Sequence, residues 1–309
     1  MSYSIDDLPK VRGRITANAP LGSVGWFWCG GTAEFLFKPD DELDLQNFLA
    51  NLPREIPVSV FGVLSNTIIR DDGMRGVVVR LGREFAGIKR VNDTDIVVGA
   101  ACLDVNASTQ CAEWGVANLE FLSGVPGTIG GALKMNAGAY GREIKDVLVT
   151  AYGVDREGAV HEFNAEQMGF SYRHSSVPDD IIFTRALLRG VVDSPEIIQA
   201  RMNEIKQKRE ASQPVREKTG GSTFANPSEA DLIAAGLPPT TKSWQLVDMV
   251  GGRGLKIGGA MMSELHANFM INTGDASARD LETLGDEIKR RVKEKFGLDL
   301  RWEIKRVGE

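Results

Sequence analysis

The chain has 309 residues, 34 of them glycine, against a usual level of ~7%, and a formal net charge of −6. No G-x-y period runs through it, and the glycines sit among apolar residues rather than in Ser/Gly tracts, which excludes a collagen-like fibre and a flexible linker. The acidic balance excludes the usual nucleic-acid binder, since the one basic stretch, Lys206 to Lys218, also carries Glu210 and Glu217. Cys29, Cys102 and Cys111 form no CxxC, and His161, His174 and His266 are scattered, so neither a disulfide framework nor a metal site is expected. The polar, acidic opening lacks a secretory signal. The longest run free of Asp, Glu, Lys and Arg, Ile15 to Ala33, contains Pro20 and four glycines and cannot be a spanning helix. These features read as a cytosolic protein with no membrane insertion, and a length near 300 residues suggests about two domains.

In chain order, Phe35 to Phe37 predicts a short strand stopped by Pro39. Asp40, Asp41 and Glu42 then favour the start of a helix running to about Asn51, because acids suit a helix N-terminus. Pro57 to Phe61 and Gly76 to Arg80 predict two more strands around the polar turn Ser65-Asn66-Thr67. Asp95 to Gly99 predicts another, and Asp104 is expected to N-cap a helix reaching about Trp114. Strands are expected at Asp146 to Val154 and Ile181 to Leu188. Ser194-Pro195-Glu196 opens a helix to about Ala211, ended by Gln213-Pro214. A helix from Ser243 to Val250 and a strand from Asn268 to Asn272 follow. Ser277 with Asp280 resembles a capping box, and Leu281, Leu284, Ile288 and Val292 recur at helical spacing as one buried stripe. The chain ends on an alternating strand with Leu298, Leu300, Trp302 and Ile304 on one face, and Asp299, Arg301, Glu303 and Lys305 on the other. The fold class expected is α+β.

Six glycines fall in 124–141 and five in 251–259. The segment Ser123-Gly-Val-Pro-Gly-Thr-Ile-Gly-Gly131 has two readings on its residues alone. It is a loop whose backbone N–H groups wrap a diphosphate, or it is a tight packing turn. It is not a Walker loop, having no G-K-[ST], nor a G-x-G-x-x-G fingerprint. Phe61-Gly-Val-Leu-Ser-Asn66 is a second candidate, weaker by itself because Ser and Asn are ordinary turn residues.

Taken together and in order, these loops resemble the MurB family of UDP-N-acetylenolpyruvoylglucosamine reductases. The matching pieces are Val60 to Asn66, Glu120 to Gly141, Gly169-Phe-Ser-Tyr-Arg-His-Ser175, Gly220-Gly-Ser-Thr-Phe-Ala-Asn-Pro227, Ile257 to Asn268 and Trp302 to Gly308, nearly the whole chain. The resemblance implies a two-subdomain FAD-binding fold of the vanillyl-alcohol-oxidase type with a separate α+β substrate domain. Its boundaries would be 1–80 and 81–205 for the FAD-binding subdomains, with the strand 298–309 returning to the first, and 206–297 for the substrate domain. It implies noncovalent FAD, NADPH as co-substrate, and a monomeric enzyme that reduces UDP-N-acetylglucosamine enolpyruvate during peptidoglycan precursor synthesis.

By the same resemblance, Gly62, Ser65 and Asn66 hold the FAD diphosphate together with Gly124, Pro126, Gly127, Thr128, Gly130 and Gly131, while Asn136, Ala137 and Gly138 line the isoalloxazine. Arg173 matches the residue that meets the substrate carboxylate, a task that suits a fixed-charge guanidinium fork. Ser222 matches the general acid that protonates the enolate-like carbon. Glu303 matches a second polarising group, which must be protonated or share a proton when the substrate carboxylate arrives. Tyr172, Arg209, Gln213, Asn226, Glu264, His266 and Asn268 are assigned to the sugar-nucleotide pocket, though a lone histidine such as His266 is more often structural, and Tyr172 is placed to touch either flavin or substrate. Two positions depart from the family pattern: Leu64 stands where a glycine is usual, which is expected to crowd the diphosphate loop, and Ala225 replaces a basic residue. The short interval 176–200 leaves no room for the extra tyrosine-bearing loop of long-form members. Alternatives are a flavoenzyme of the same fold with another substrate, and a non-catalytic binding module.

Overall fold

The computed structural model describes residues 3–309. Its contacts divide the chain into two compact units. The first holds the residues up to Ala19, Ala33–Val63 and Arg75–Lys208; the second holds Pro20–Thr32, Leu64–Met74 and Arg209–Glu309. Two short N-terminal segments are thus grouped with the C-terminal third of the chain.

In the first unit, one sheet runs in the order Arg14–Pro20, Thr32–Lys38, Met74–Val79, Val58–Val60. Its last pair is parallel, with Val58 opposite Val77. The helix Glu42–Asn51, whose N-cap Asp41 accepts from the Asp44 amide, joins Thr32–Lys38 to Val58–Val60, and the crossover that the parallel pair requires is the segment 61–73. Phe35, Phe37, Leu45, Phe48, Val77 and Val79 form a core between sheet and helix. A second, antiparallel sheet is ordered Val160–Asn164, Leu148–Val154, Ile182–Arg189, Asp95–Gly99, Ile88–Arg90. Its buried side chains Ile96, Val98, Ala186 and Leu188 pack with Phe121, Leu122, Ile129 and Leu133, so the glycine-rich segment lies on this core.

The second unit carries a small sheet ordered Lys218–Thr219, Met270–Asn272, Ala260–Met262, Lys256–Ile257. The helix Ala278–Phe296 buries Leu281, Leu284, Ile288 and Val292 in the same core as Phe224, Ala260, Met262 and Met270. Its capping box forms as expected, with Ser277 accepting from the Asp280 amide and Asp280 accepting from Ser277. The C-terminal strand Lys305–Val307 pairs in parallel with Thr67–Ile69, Lys305 opposite Thr67.

Three expectations are corrected. Leu103, not Asp104, occupies the N-cap of the helix Asp104–Glu113; Asp104 is its first helical residue, fully buried. The terminal alternation is real, with Leu298, Leu300 and Ile304 buried and Asp299, Arg301 and Lys305 exposed, but only Lys305–Val307 makes a strand. Upstream of it the chain is tied by one bridge, Phe224 to Trp302. The strand expected over Asn268 to Asn272 begins at Met270, because Phe269 N–H closes a turn on His266 O at 3.0 Å.

Candidate active site

The glycine loop of the first unit is pinned at defined points. Ile129 N–H donates to Cys102 O (3.0 Å), Gly130 N–H to Ala100 O (2.8 Å), and Asp104 N–H to Gly127 O (3.1 Å). Between these anchors, the amides of Gly127, Thr128 and Gly131 meet no acceptor among the described residues. A Cβ on Gly62 would lie 2.4 Å from the Thr128 hydroxyl, so the two loops touch only because residue 62 has no side chain. Such a cluster of unpaired amides beside a close backbone approach is the chemistry a diphosphate needs, and the residues present fit FAD.

The segment after this loop is braced by one side chain. Asn136 is fully buried, with a φ of +40°. Its amide donates to Glu143 Oε2 (3.0 Å) and Ser171 O (3.1 Å), and its Oδ1 accepts from Lys145 N–H (3.0 Å). Ser171 opens the tight turn that carries Tyr172 and Arg173, closed by mutual backbone bonds with His174 at 3.0 and 3.3 Å. Arg173 is in the left-handed region, φ +55°, a strained state for a residue with a Cβ. Its guanidinium donates to Gly138 O (3.0 Å) and lies 5.2 Å from the Tyr172 ring centroid. Gly138, assigned to the flavin, and Arg173, assigned to the substrate, are thus joined directly.

In the second unit, Ser65 O accepts from Gly221 N–H at 3.1 Å. A Cβ on Gly220 would fall 2.6 Å from the Phe27 ring, so the loop before Ser222 lies flat only with glycine there. Thr223 O accepts from Glu303 N–H (2.9 Å), and the Phe224–Trp302 bridge extends the pairing. Ser222 and Glu303 therefore sit on neighbouring extended segments, each half-buried. Leu64 also takes left-handed backbone, φ +54°, the conformation a glycine would adopt freely. Its side chain is 6% exposed and packs over the α-carbon of Gly25, a Cβ on which would lie 3.5 Å from Leu64 Cδ1. The leucine is thus accommodated by burial of its side chain in the second unit.

Apart from Tyr172 of the first unit, the residues assigned to the sugar nucleotide separate into two groups. Gln213 and Glu264 line a cavity of about 450 Å³ with Pro214, Arg216 and Ser263, and Arg209 Nε donates to Gln213 Oε1 at 3.3 Å from one helical turn earlier. Asn226, His266 and Asn268 do not line it and have structural partners. Asn226 Oδ1 accepts from Ser243 N–H (3.1 Å) at the start of the helix Ser243–Met249. His266 Nδ1 accepts from Asn268 N–H (3.2 Å), and its ring lies 4.8 Å from Phe269; burial lowers its pKa from the ordinary histidine value, so the ring is neutral at pH 7. Asn268 both accepts from Phe224 N–H (3.0 Å) and donates to Phe224 O (2.8 Å). Sequence reasoning missed these bracing roles, and Glu143 altogether, because nothing in residue type or spacing says which distant backbone an amide will reach.

The family model for the C-terminal domain of UDP-N-acetylenolpyruvoylglucosamine reductase matches residues 213–307, and that for an FAD binding domain matches residues 33–164. The UDP-N-acetylenolpyruvoylglucosamine reductase of Parvibaculum lavamentivorans is 52% identical over 98% of this chain and 94% of its own. That of Phenylobacterium zucineum is 50% identical over 98% of each. Among solved structures, MurB from Thermus caldophilus superposes with a TM-score of 0.80 at 31% identity, over 97% of this chain and 100% of that one. With similarity this high along essentially the full length of both partners, the chain belongs to the UDP-N-acetylenolpyruvoylglucosamine reductase (MurB) family.

Proposed function

We propose a division of labour among named residues for the reaction of this family. The chain is an FAD-dependent oxidoreductase that uses NADPH to reduce UDP-N-acetylglucosamine enolpyruvate to UDP-N-acetylmuramate in peptidoglycan synthesis. When bound, FAD supplies the hydride carrier between the two substrates. The amides of Gly127, Thr128 and Gly131 hold its diphosphate, with Gly62 giving the clearance. Asn136, Ala137 and Gly138 shape the wall along the ring system.

The protein must then stabilise negative charge beside the substrate carboxylate and deliver one proton to carbon. Arg173 supplies fixed positive charge, and its strained turn is held ready by Asn136 rather than organised when substrate arrives. Ser222 donates the proton, and Glu303 polarises the same region. The observation that carries this reading is the pairing of Glu303 N–H with Thr223 O at 2.9 Å, which fixes the two groups on adjacent segments of one unit. Gln213 and Glu264, in their cavity, contact the nucleotide part of the substrate. The enzyme acts in the cytoplasm as a monomer, for which sedimentation of the FAD-loaded protein is the direct check.

Ser222→Ala tests the assignment. Reduction of the enolpyruvyl substrate is expected to fall by several orders of magnitude while reduction of the enzyme by NADPH is largely kept. Equal turnover in variant and wild type would remove Ser222 from the mechanism. Activity with another acceptor, and none with the sugar nucleotide, would favour a different substrate on the same fold.

A further inference from the structure

Asn66 occupies a junction in the second unit. The carbonyl just before it, Ser65 O, takes the Gly221 N–H at 3.1 Å, one residue ahead of Ser222. Its own carbonyl takes the Lys305 N–H at 3.0 Å, two residues beyond Glu303. Its side-chain amide donates to Glu303 O at 3.2 Å, across 237 positions of sequence. A Cβ added to Gly221 would lie 3.3 Å from Asn66 Oδ1, so the side chain rests against the same loop that leads to Ser222. The strand that begins at Thr67 continues the junction, in register with Lys305. One residue thus touches the acid-bearing loop and the Glu303 segment together. These segments are also joined by the backbone bonds Glu303 N–H to Thr223 O and Ala225 N–H to Arg301 O, at 2.9 Å each, which make up the Phe224–Trp302 bridge, by Ile304 N–H to Thr223 O at 3.5 Å, and by the rings of Phe224 and Trp302.

We propose that Asn66 is a positioning residue for proton delivery: its side-chain amide fixes the Glu303 backbone against the Gly221–Ser222 loop, so that the serine hydroxyl and the carboxyl keep one relative geometry. This rests on the reading of Ser222 and Glu303 given above and extends it. Proton transfer to carbon tolerates little misplacement; an error near 1 Å removes about 100-fold in rate. The Glu303 N–H is held by the Thr223 carbonyl and the Glu303 carbonyl by the Asn66 amide, so both peptides flanking its α-carbon are fixed. Loss of the second bond loosens the peptide after Glu303, and with it the direction in which the side chain leaves the backbone. The general alternative for an asparagine in such a loop is that its side chain serves the cofactor. The two roles differ in which half of the catalytic cycle they touch.

The experiment compares FAD-loaded wild type, Asn66→Ala and Ser222→Ala in stopped flow, following first reduction of the enzyme by NADPH and then its oxidation by the enolpyruvyl substrate. FAD dissociation constants are measured alongside by fluorescence. For Asn66→Ala, which lies in the loop assigned to the FAD diphosphate and is therefore assayed fully loaded with FAD, the substrate step is expected to slow about 10- to 100-fold more than the NADPH step, and its solvent deuterium isotope effect to rise. An unchanged substrate step overturns the proposal, as does a loss of the NADPH step as large as the loss of the substrate step. If Asn66→Ala does not fold, Asn66→Ser, whose hydroxyl is too short to reach the Glu303 carbonyl, carries the same comparison. Ser222→Ala separates the two layers: a wild-type substrate step there defeats the assignment of the acid, whereas a slow step there with a normal Asn66→Ala defeats only the role of Asn66.

Discussion

Each unit has one asparagine standing between a cofactor loop and a proposed reacting group, and the two are built differently. Asn136, in the first unit, is wholly buried and uses both N–H donors and its carbonyl on protein partners, reaching Glu143, Ser171 and Lys145. Asn66, in the second, is half-buried and reaches the Glu303 carbonyl within a framework already laid down by backbone pairing. A buried polar network is all-or-none, because every group it leaves unsatisfied carries a desolvation penalty. The first unit therefore stakes its stability on the asparagine that holds the Arg173 turn, while the second is expected to lose less when its asparagine is removed.

Asn136→Ala is the sharpest way to break this contrast. It strands the Lys145 amide and takes one donor each from the Ser171 carbonyl and Glu143, which keep His174 N–H (3.3 Å) and the Lys145 ammonium (2.7 Å), at about 1–3 kcal/mol of stability. Chemical denaturation should show a loss of that size, together with release of the Arg173 turn and weaker binding of substrate. The same substitution at position 66 should shift the denaturation midpoint by far less. Equal destabilisation of the two variants would dissolve the distinction.

Leu64→Gly gives an effect of comparable size and tests a different balance inside the second unit. Left-handed backbone disfavours leucine by ~1–2 kcal/mol. Removing a buried leucine side chain destabilises by about 2–5 kcal/mol, with a further entropic penalty for glycine in the unfolded chain. Packing outweighs strain, so the glycine that is usual in the family should make this protein less stable by about 1–3 kcal/mol. A variant as stable as wild type would mean that the contact with Gly25 contributes little.

Much of this arrangement was legible in the residues, and the boundary of legibility is physical. The helix Ala278–Phe296 was readable because its stripe and its capping box are local patterns, and Glu42–Asn51 because acids mark its start. The glycine segment left a cradle and a packing turn both open, and its order pointed to a family. The membership of Pro20–Thr32 and Leu64–Met74 in the second unit was not readable, since it depends on pairings such as Lys305 with Thr67 across most of the chain. Leu64 marks the limit most clearly. The sequence showed a missing glycine and suggested crowding, but the leucine side chain is buried beside Gly25, a residue that no periodicity links to it. Asn268 and Asn226 have the residue types of ligands and the bonds of braces, a difference that only the distant partner backbone decides.

Asp104 is a case where a local rule pointed the right residue type at the wrong position, and it yields the smallest and most specific prediction. An aspartate at the N-cap would accept backbone N–H bonds and stay ionised. One position later, at the first helical residue, its side chain is fully buried and neither oxygen has a partner among the described residues. The first-turn amides favour negative charge in general, but none of them reaches it. Burial therefore pushes the carboxyl well above the usual aspartate range. With the folded value raised above the unfolded one, near ~3.9, the stability linked to this group is complete below that unfolded value. It is lost as pH rises toward the folded value, because the unfolded chain alone releases the proton. Asp104→Asn keeps the shape and removes the titration. Its stability relative to wild type should therefore rise with pH, with a larger gain in denaturation midpoint at pH 8 than at pH 5. The same difference at both pH values would show that Asp104 is ionised in the folded protein, and that the first unit supplies its oxygens with partners after all.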